Sequence, residues 1–291
     1  RYLGILWSTL TGDDRSLLLD DLRSHWHSAK PDAAAALTRY VLDWQKGLWT
    51  FNPVGLLGRK GSRSRWMEAV SPMLAHHELR FQIPAPKEGE EAKEFVVSLV
   101  AGDAGDGNEH DFVVWTQPRL VADGKPDKLL LDWVTGDGKS IDASSVCVRA
   151  PAVITIRVPA DLAGRELVTT ASLEPETGGE GSVQADLVAG TPAAVSGLLP
   201  AGVTVKFATD ERGDGIRTVS YRHPILVTEN SKTRKRFEAT MGDFRNLFPA
   251  ALCYTQIVPV DELLTLTLLY REDDHLVRLM LTKQQAAKLE K

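Results

Sequence analysis

The 291 residues carry 34 Lys and Arg against 39 Asp and Glu, a net charge of −5, with a pI near 5.8. No basic stripe runs through the chain, so nucleic acid is not an expected partner. Hydrophobic residues make up 43%, enough for a core without a metal or disulfide staple, and no apolar run is long enough to predict a membrane span.

Residues 1–60 read as a helical hairpin. Thr11-Gly12-Asp13-Asp14 fits a cap, and Leu17, Leu18, Leu22 and Trp26 follow at helical spacing. Pro31-Asp32 restarts the pattern, and Ala36, Leu37, Tyr40, Val41, Trp44 and Leu48 form a second stripe. Residues 52–75 are rich in Gly, Ser, Arg and Pro and read as a long connection.

The texture changes at His77 to Pro84, where Leu79, Phe81 and Ile83 alternate with polar residues as in a half-buried strand. Further strands are expected at Phe95 to Ala101, Phe112 to Trp115 and Arg119 to Ala122. Val146 to Val158 follows, interrupted at Pro151, then Leu167 to Leu173, Ser182 to Val188, Val203 to Phe207 and Thr218 to Tyr221. Strands at this spacing, without intervening helices, predict an antiparallel β-sandwich or jelly roll over 61–228.

Helical period returns in 229–291. Phe237, Met241, Phe244 and Leu247 lie on one stripe, and Leu263, Leu264, Leu268, Leu269, Leu276 and Leu279 extend the apolar pattern. The expected class is therefore mainly β with flanking helices (α+β). The chain starts at Arg1 rather than Met and reads as a piece of a longer protein.

The chemically richest stretch is Asp103-Ala-Gly-Asp106-Gly-Asn108-Glu-His110-Asp111-Phe-Val-Val-Trp115. Asp103, Asp106, Asn108 and Asp111 crowd hard oxygens onto a glycine-bearing loop, as Ca²⁺ requires, though without the spacing of the helical calcium loop. The same residues also fit a turn whose side chains bond their own backbone. Trp115 beside Asp106, Asn108 and Asp111 fits a polysaccharide site, in which a ring covers a sugar face and polar groups take hydroxyls.

The histidines do not converge. His25 and His27 face different ways on a helix, His76 and His77 face opposite ways on a strand, and His223 and His275 read as surface or cap residues. Lys232 to Arg236 reads as a solvated helix start. Glu174/Glu176 and Asp261/Glu262 are the nearest carboxylate pairs for hydrolysis, which would have to be completed in space. The only cysteines, Cys147 and Cys253, fit either one disulfide or two buried thiols. No nucleophile, zinc or haem-attachment motif is present in the sequence.

Phe95 to Ala122, "FVVSLVAGDAGDGNEHDFVVWTQPRLVA", resembles the closing strands of the novel carbohydrate-binding modules. The matching positions are Asp103, Gly105, Asp106, Gly107, Asp111, Trp115, Arg119 and Leu120. The family's Asp-His-Ala-Asp-Trp stands here as Asp111-Phe-Val-Val-Trp115. Ile154 to Val188, notably Glu180-Gly181-Ser182-Val183, is similar to the opening strands of those modules. The halves stand in reversed order, which a permuted sandwich would explain.

Tyr2 to Arg23, Asp103 to Trp115 and Phe244 to Leu281 resemble the amino-terminal portion of large planctomycete proteins. Those proteins join a cytochrome c-type domain to domains of unknown function. The resemblance implies an extracytoplasmic setting, periplasmic or cell-surface, and no catalytic residues. The haem motif is not in this segment. The expectation is a non-catalytic accessory module that binds polysaccharide. The alternatives are a structural segment docked to the remaining domains of its parent, and a hydrolase subunit.

Overall fold

The computed structural model describes residues 2–13, 16–28, 34–57, 64–87, 89, 91, 93–130, 134–135, 139–142, 144–209, 215–249 and 279–289. Cys253, Asp261, Glu262, His275 and the leucines from 263 to 276 lie outside them. The described chain is mainly β, with several antiparallel sheets and a few helices. By internal contact it divides into two compact units. One holds Arg1–Ser71, Gly202–Ser220 and Phe237–Lys291; the other holds Pro72–Ala201 and Tyr221–Arg236. The sequence reading has three consecutive segments, whereas by contact the first and last belong to one unit.

That unit opens with three helices: α1 (Tyr2–Thr11), α2 (Leu17–Ser28) and α3 (Ala34–Leu48). The expected hairpin becomes three helices because Tyr2–Thr11 is helical in its own right. Ser16, later than the expected cap, stands before α2, where its backbone N–H donates to Asp20 Oδ2 at 3.3 Å. Leu18, Leu19 and Leu22 of α2 and Trp44 and Leu48 of α3 are buried. α4 (Lys232–Leu247) buries Phe237, Met241, Phe244 and Leu247, the i, i+4, i+7 stripe read from the sequence. Leu18 N–H donates to Thr240 Oγ1 at 3.2 Å, and Tyr2 Oη donates to the Leu247 carbonyl at 2.9 Å.

Residues 52–75, expected to be a connection, contain the antiparallel pair β1 (Phe51–Leu57) and β2 (Ser64–Ala69). Pro53 and Gly55 act as breakers in a sequence reading, but here they flank a register shift that keeps the ladder going on either side.

The second unit carries two six-stranded sheets. Its strands are β3 (Met73–Leu74), β4 (His76–Gln82), β5 (Phe95–Gly102), β6 (Phe112–Ala122), β7 (Lys125–Leu129), β8 (Val134–Thr135) and β9 (Lys139–Asp142). β10 (Ser145–Arg149), β11 (Ala152–Val158), β12 (Glu166–Leu173) and β13 (Ser182–Ala189) follow. β16 (Ile225–Val227) closes the unit's series, while β14 (Gly202–Thr209) and β15 (Gly215–Arg222), which fall mostly within the first unit's 202–220 stretch, form a separate two-stranded sheet.

One large sheet has the order β4-β12-β6-β10-β9, with β7 also on β6; the other has the order β3-β16-β13-β5-β11-β8. β16 and β3 run parallel, and the other recorded pairings in the two sheets are antiparallel. Val97, Leu99 and Ala101 of β5, Val113 and Trp115 of β6, Ile154 and Ile156 of β11 and Leu167 of β12 share one core cluster. Their i, i+2 spacing puts each set on one face of its strand, and both sheets contribute to that core.

Phe112 to Ala122 is one strand rather than the expected two. Gln117, with φ 47°, precedes Pro118, and the register against β12 shifts between Val168 and Thr170. The bulge absorbs the proline without ending the strand.

Candidate functional site

The Asp103–Asp111 loop connects β5 to β6 within the second unit. Asp103 is 8% exposed and Asp111 2%. Asp103 Oδ1 accepts the N–H groups of Gly105 at 3.0 Å and Gly197 at 2.7 Å, and Oδ2 accepts the Ser196 hydroxyl at 2.7 Å. The Ser182 hydroxyl donates to Asp106 Oδ1, and Arg236 Nη2 lies 3.0 Å from Asp106 Oδ2. Asp111 Oδ1 accepts the Ser182 N–H at 2.8 Å. Asp111 Oδ2 is buried with no hydrogen-bond partner.

Five of the six carboxylate oxygens on Asp103, Asp106 and Asp111 are thus committed to donors of the chain itself. Asn108 is also engaged: Arg149 Nε donates to its carbonyl at 2.7 Å and Nη2 to its side-chain oxygen at 3.1 Å. A Ca²⁺ ion on Asp103, Asp106, Asn108 and Asp111 would share oxygens that already accept these donors. Among the described residues, no group of three or more His, Cys, Asp or Glu is disposed to hold a metal ion.

The electrostatics follow from this crowding. Burial pushes the Asp111 carboxyl up to about 7; the Ser182 N–H opposes the rise, and the neighbouring Asp106 and Asp103 add to it. Burial also raises Asp106, against the pull of the Ser182 hydroxyl and Arg236. The loop is tied into the second unit by these contacts. It joins the β5–β6 connection to the 196–198 loop, the start of β13 and the first turn of α4.

Gly181 makes the closest of these approaches possible. A Cβ there would lie 2.1 Å from the His110 carbonyl oxygen. α4 is capped from the same corner: the Lys232 N–H donates to Glu180 Oε2 at 2.9 Å, and the Arg234 N–H to the Ser231 hydroxyl at 3.0 Å.

Trp115, expected to cover a sugar face, is fully enclosed in the core at 0% exposed. It lies within β6 rather than at a strand end, on the same face as buried Val113. In this position its ring offers no face to a polysaccharide. Glu174 also acts locally: it accepts the Thr177 hydroxyl at 2.7 Å, the Thr177 N–H at 2.6 Å and the Glu176 N–H at 3.0 Å, and these bonds, the hydroxyl's first, hold its carboxyl below the ordinary range.

Several partners escaped the sequence reading. Arg236 belonged to a cluster read as solvated, Ser182 entered only through the resemblance of 180–183, and Ser196 carried no local signal. His223 was read as a surface residue, yet its Nδ1 lies 3.1 Å from Asp186 Oδ2. Large exposed apolar side chains stand elsewhere: Leu3 is 77% exposed, Trp7 62% and Trp26 38%. The Trp7 and Trp26 rings meet edge to face with centroids 6.5 Å apart.

Compared with family models, curated proteins and solved structures, the chain matches none.

Proposed function

We propose that this chain is a non-catalytic interaction segment of a larger protein, docking to the parent's remaining domains through α1 and α2. The observation that carries the reading is the Leu3–Trp7–Trp26 surface. Two tryptophans held edge to face at the surface, with Leu3 of α1 also exposed, point to contact with another surface. The acidic loop supports the same reading, because five of the six oxygens on Asp103, Asp106 and Asp111 make internal contacts. The resemblance in Tyr2 to Arg23 supports an exported, extracytoplasmic parent.

The second unit serves as a rigid scaffold of antiparallel β-sandwich, jelly-roll type. Two six-stranded sheets around one core, with strands distant in sequence adjacent in the sheet, support that architecture.

The test is binding between this chain and the separately produced remainder of its parent polypeptide. A Trp7→Ala/Trp26→Ala double variant should melt as the unsubstituted chain does, yet bind at least about tenfold more weakly. Unchanged binding by the double variant would sink the reading.

A further inference from the structure

We propose that His77 is an acid-sensitive release for β4. Among the described residues β4 is the outermost strand of its sheet, bonded there to β12 alone. His77, opposite Ala171 of β12, is half-buried, and its ring meets the Tyr221 ring edge-on with centroids 5.5 Å apart. Its ring nitrogens have no hydrogen-bond partner among the described residues.

The groups around it leave an imidazolium poorly served. Across from β4, β12 presents Thr170, Ala171 and Ser172 at this level, and β16 presents Ile225, Leu226 and Val227. β15 contributes Tyr221. The carboxylate on β13 is Asp186, whose Oδ1 accepts the Leu187 N–H at 2.8 Å and whose Oδ2 lies 3.1 Å from His223 Nδ1. His223 is itself held: its φ is 50° ahead of Pro224, and its carbonyl accepts the Gln184 amide at 2.9 Å. Glu78, next along β4, is taken by Arg80, with Nε and Nη2 both 2.9 Å from Oε1. His76 adds a second imidazole on the other side of His77. Each carboxylate facing His77 is therefore already engaged.

Burial lowers the His77 pKa from its ordinary 6.5, outweighing the pull of Asp186 and Glu78. The sign follows. Neutral His77 suits the closed strand, whereas an unfolded or detached His77 takes a proton more readily. The stability His77 contributes is present above about 6.5 and is lost as pH falls through its lowered folded value. Because β4 has one ladder partner in its sheet, the loss is expected there first. Its departure would bare the edge of β12 to another strand.

Amide hydrogen exchange on the whole chain, at about pH 5 and about pH 7.5, with protection corrected for intrinsic rates, tests this. Protection of β4 should fall at least about tenfold more at low pH than that of β5 and β13, and His77→Gln should abolish the difference. Parallel changes in all three strands, or the same selective fall in His77→Gln, would overturn the proposal. Should His77→Gln fail to fold, His77→Phe keeps an aromatic ring against Tyr221 without a titrating group, and the same two outcomes decide.

Discussion

Replacing Asp111 with Asn isolates the cost of a buried carboxyl. In the folded chain this group titrates at about 7 instead of 3.8, chiefly because it is buried. From pH 4 to 7 the folded chain keeps the proton that the unfolded chain gives up, so stability is lost as pH rises across that interval. The full shift corresponds to at most about 4 kcal/mol, at about 1.4 kcal/mol per pH unit in the steepest part. Asn keeps an oxygen for the Ser182 N–H, which Asp111 Oδ1 now accepts at 2.8 Å, and it carries no charge at any pH. Urea denaturation of both proteins between pH 4 and 8 measures the effect. The stability of Asp111→Asn relative to the parent should climb between pH 4 and 7 and level off above. A difference independent of pH would refute the argument, whatever its absolute size.

Trp115→Ala should cost about 3–5 kcal/mol, since it empties a fully enclosed site, and Trp115→Phe should cost less; equal, small losses in thermal melts would contradict the enclosed position. Arg236→Ala should cost about 1–3 kcal/mol by leaving Asp106 Oδ2, now 3.0 Å from Nη2, without its cation. The loss should shrink in Asp106→Asn, a coupling that a double-mutant cycle reads directly. Gly181→Ala should destabilise by more than about 3 kcal/mol or fail to fold, because its Cβ would sit 2.1 Å from the His110 oxygen; a soluble variant with an unchanged melting curve would argue against that approach.

Patterns carried by neighbouring residues were legible in the sequence. The Phe237–Met241–Phe244 stripe is buried on α4, and β5, β12 and β13 lie within a residue or two of where alternation puts them. Features set by distant partners were not legible. Asp103 meets Gly197 across 94 positions and Arg236 meets Asp106 across 130, so a run of oxygens that is held by its own chain reads locally as a cation loop. Trp115 was misplaced for a related reason. Pro118 made the strand seem to stop, and a tryptophan at a strand end is free to face outward, whereas one inside an unbroken β6 takes the inward parity of Val113. β1 was hidden in the same way by Pro53 and Gly55.

The discontinuity of the first unit bears on how the chain is made. Pro72–Ala201 and Tyr221–Arg236 can close soon after they are synthesised, since only the 202–220 excursion interrupts them. The first unit cannot, because Leu18, Trp44 and Leu48 are made about two hundred residues before Phe237, Met241 and Phe244, which share their unit. At ordinary rates of about 5–20 residues per second the wait lasts on the order of ten seconds or more. Over that interval the apolar faces of the helices made first, with Leu18, Trp44 and Leu48, lack the α4 stripe that shares their unit, the condition under which nascent chains are most prone to aggregate.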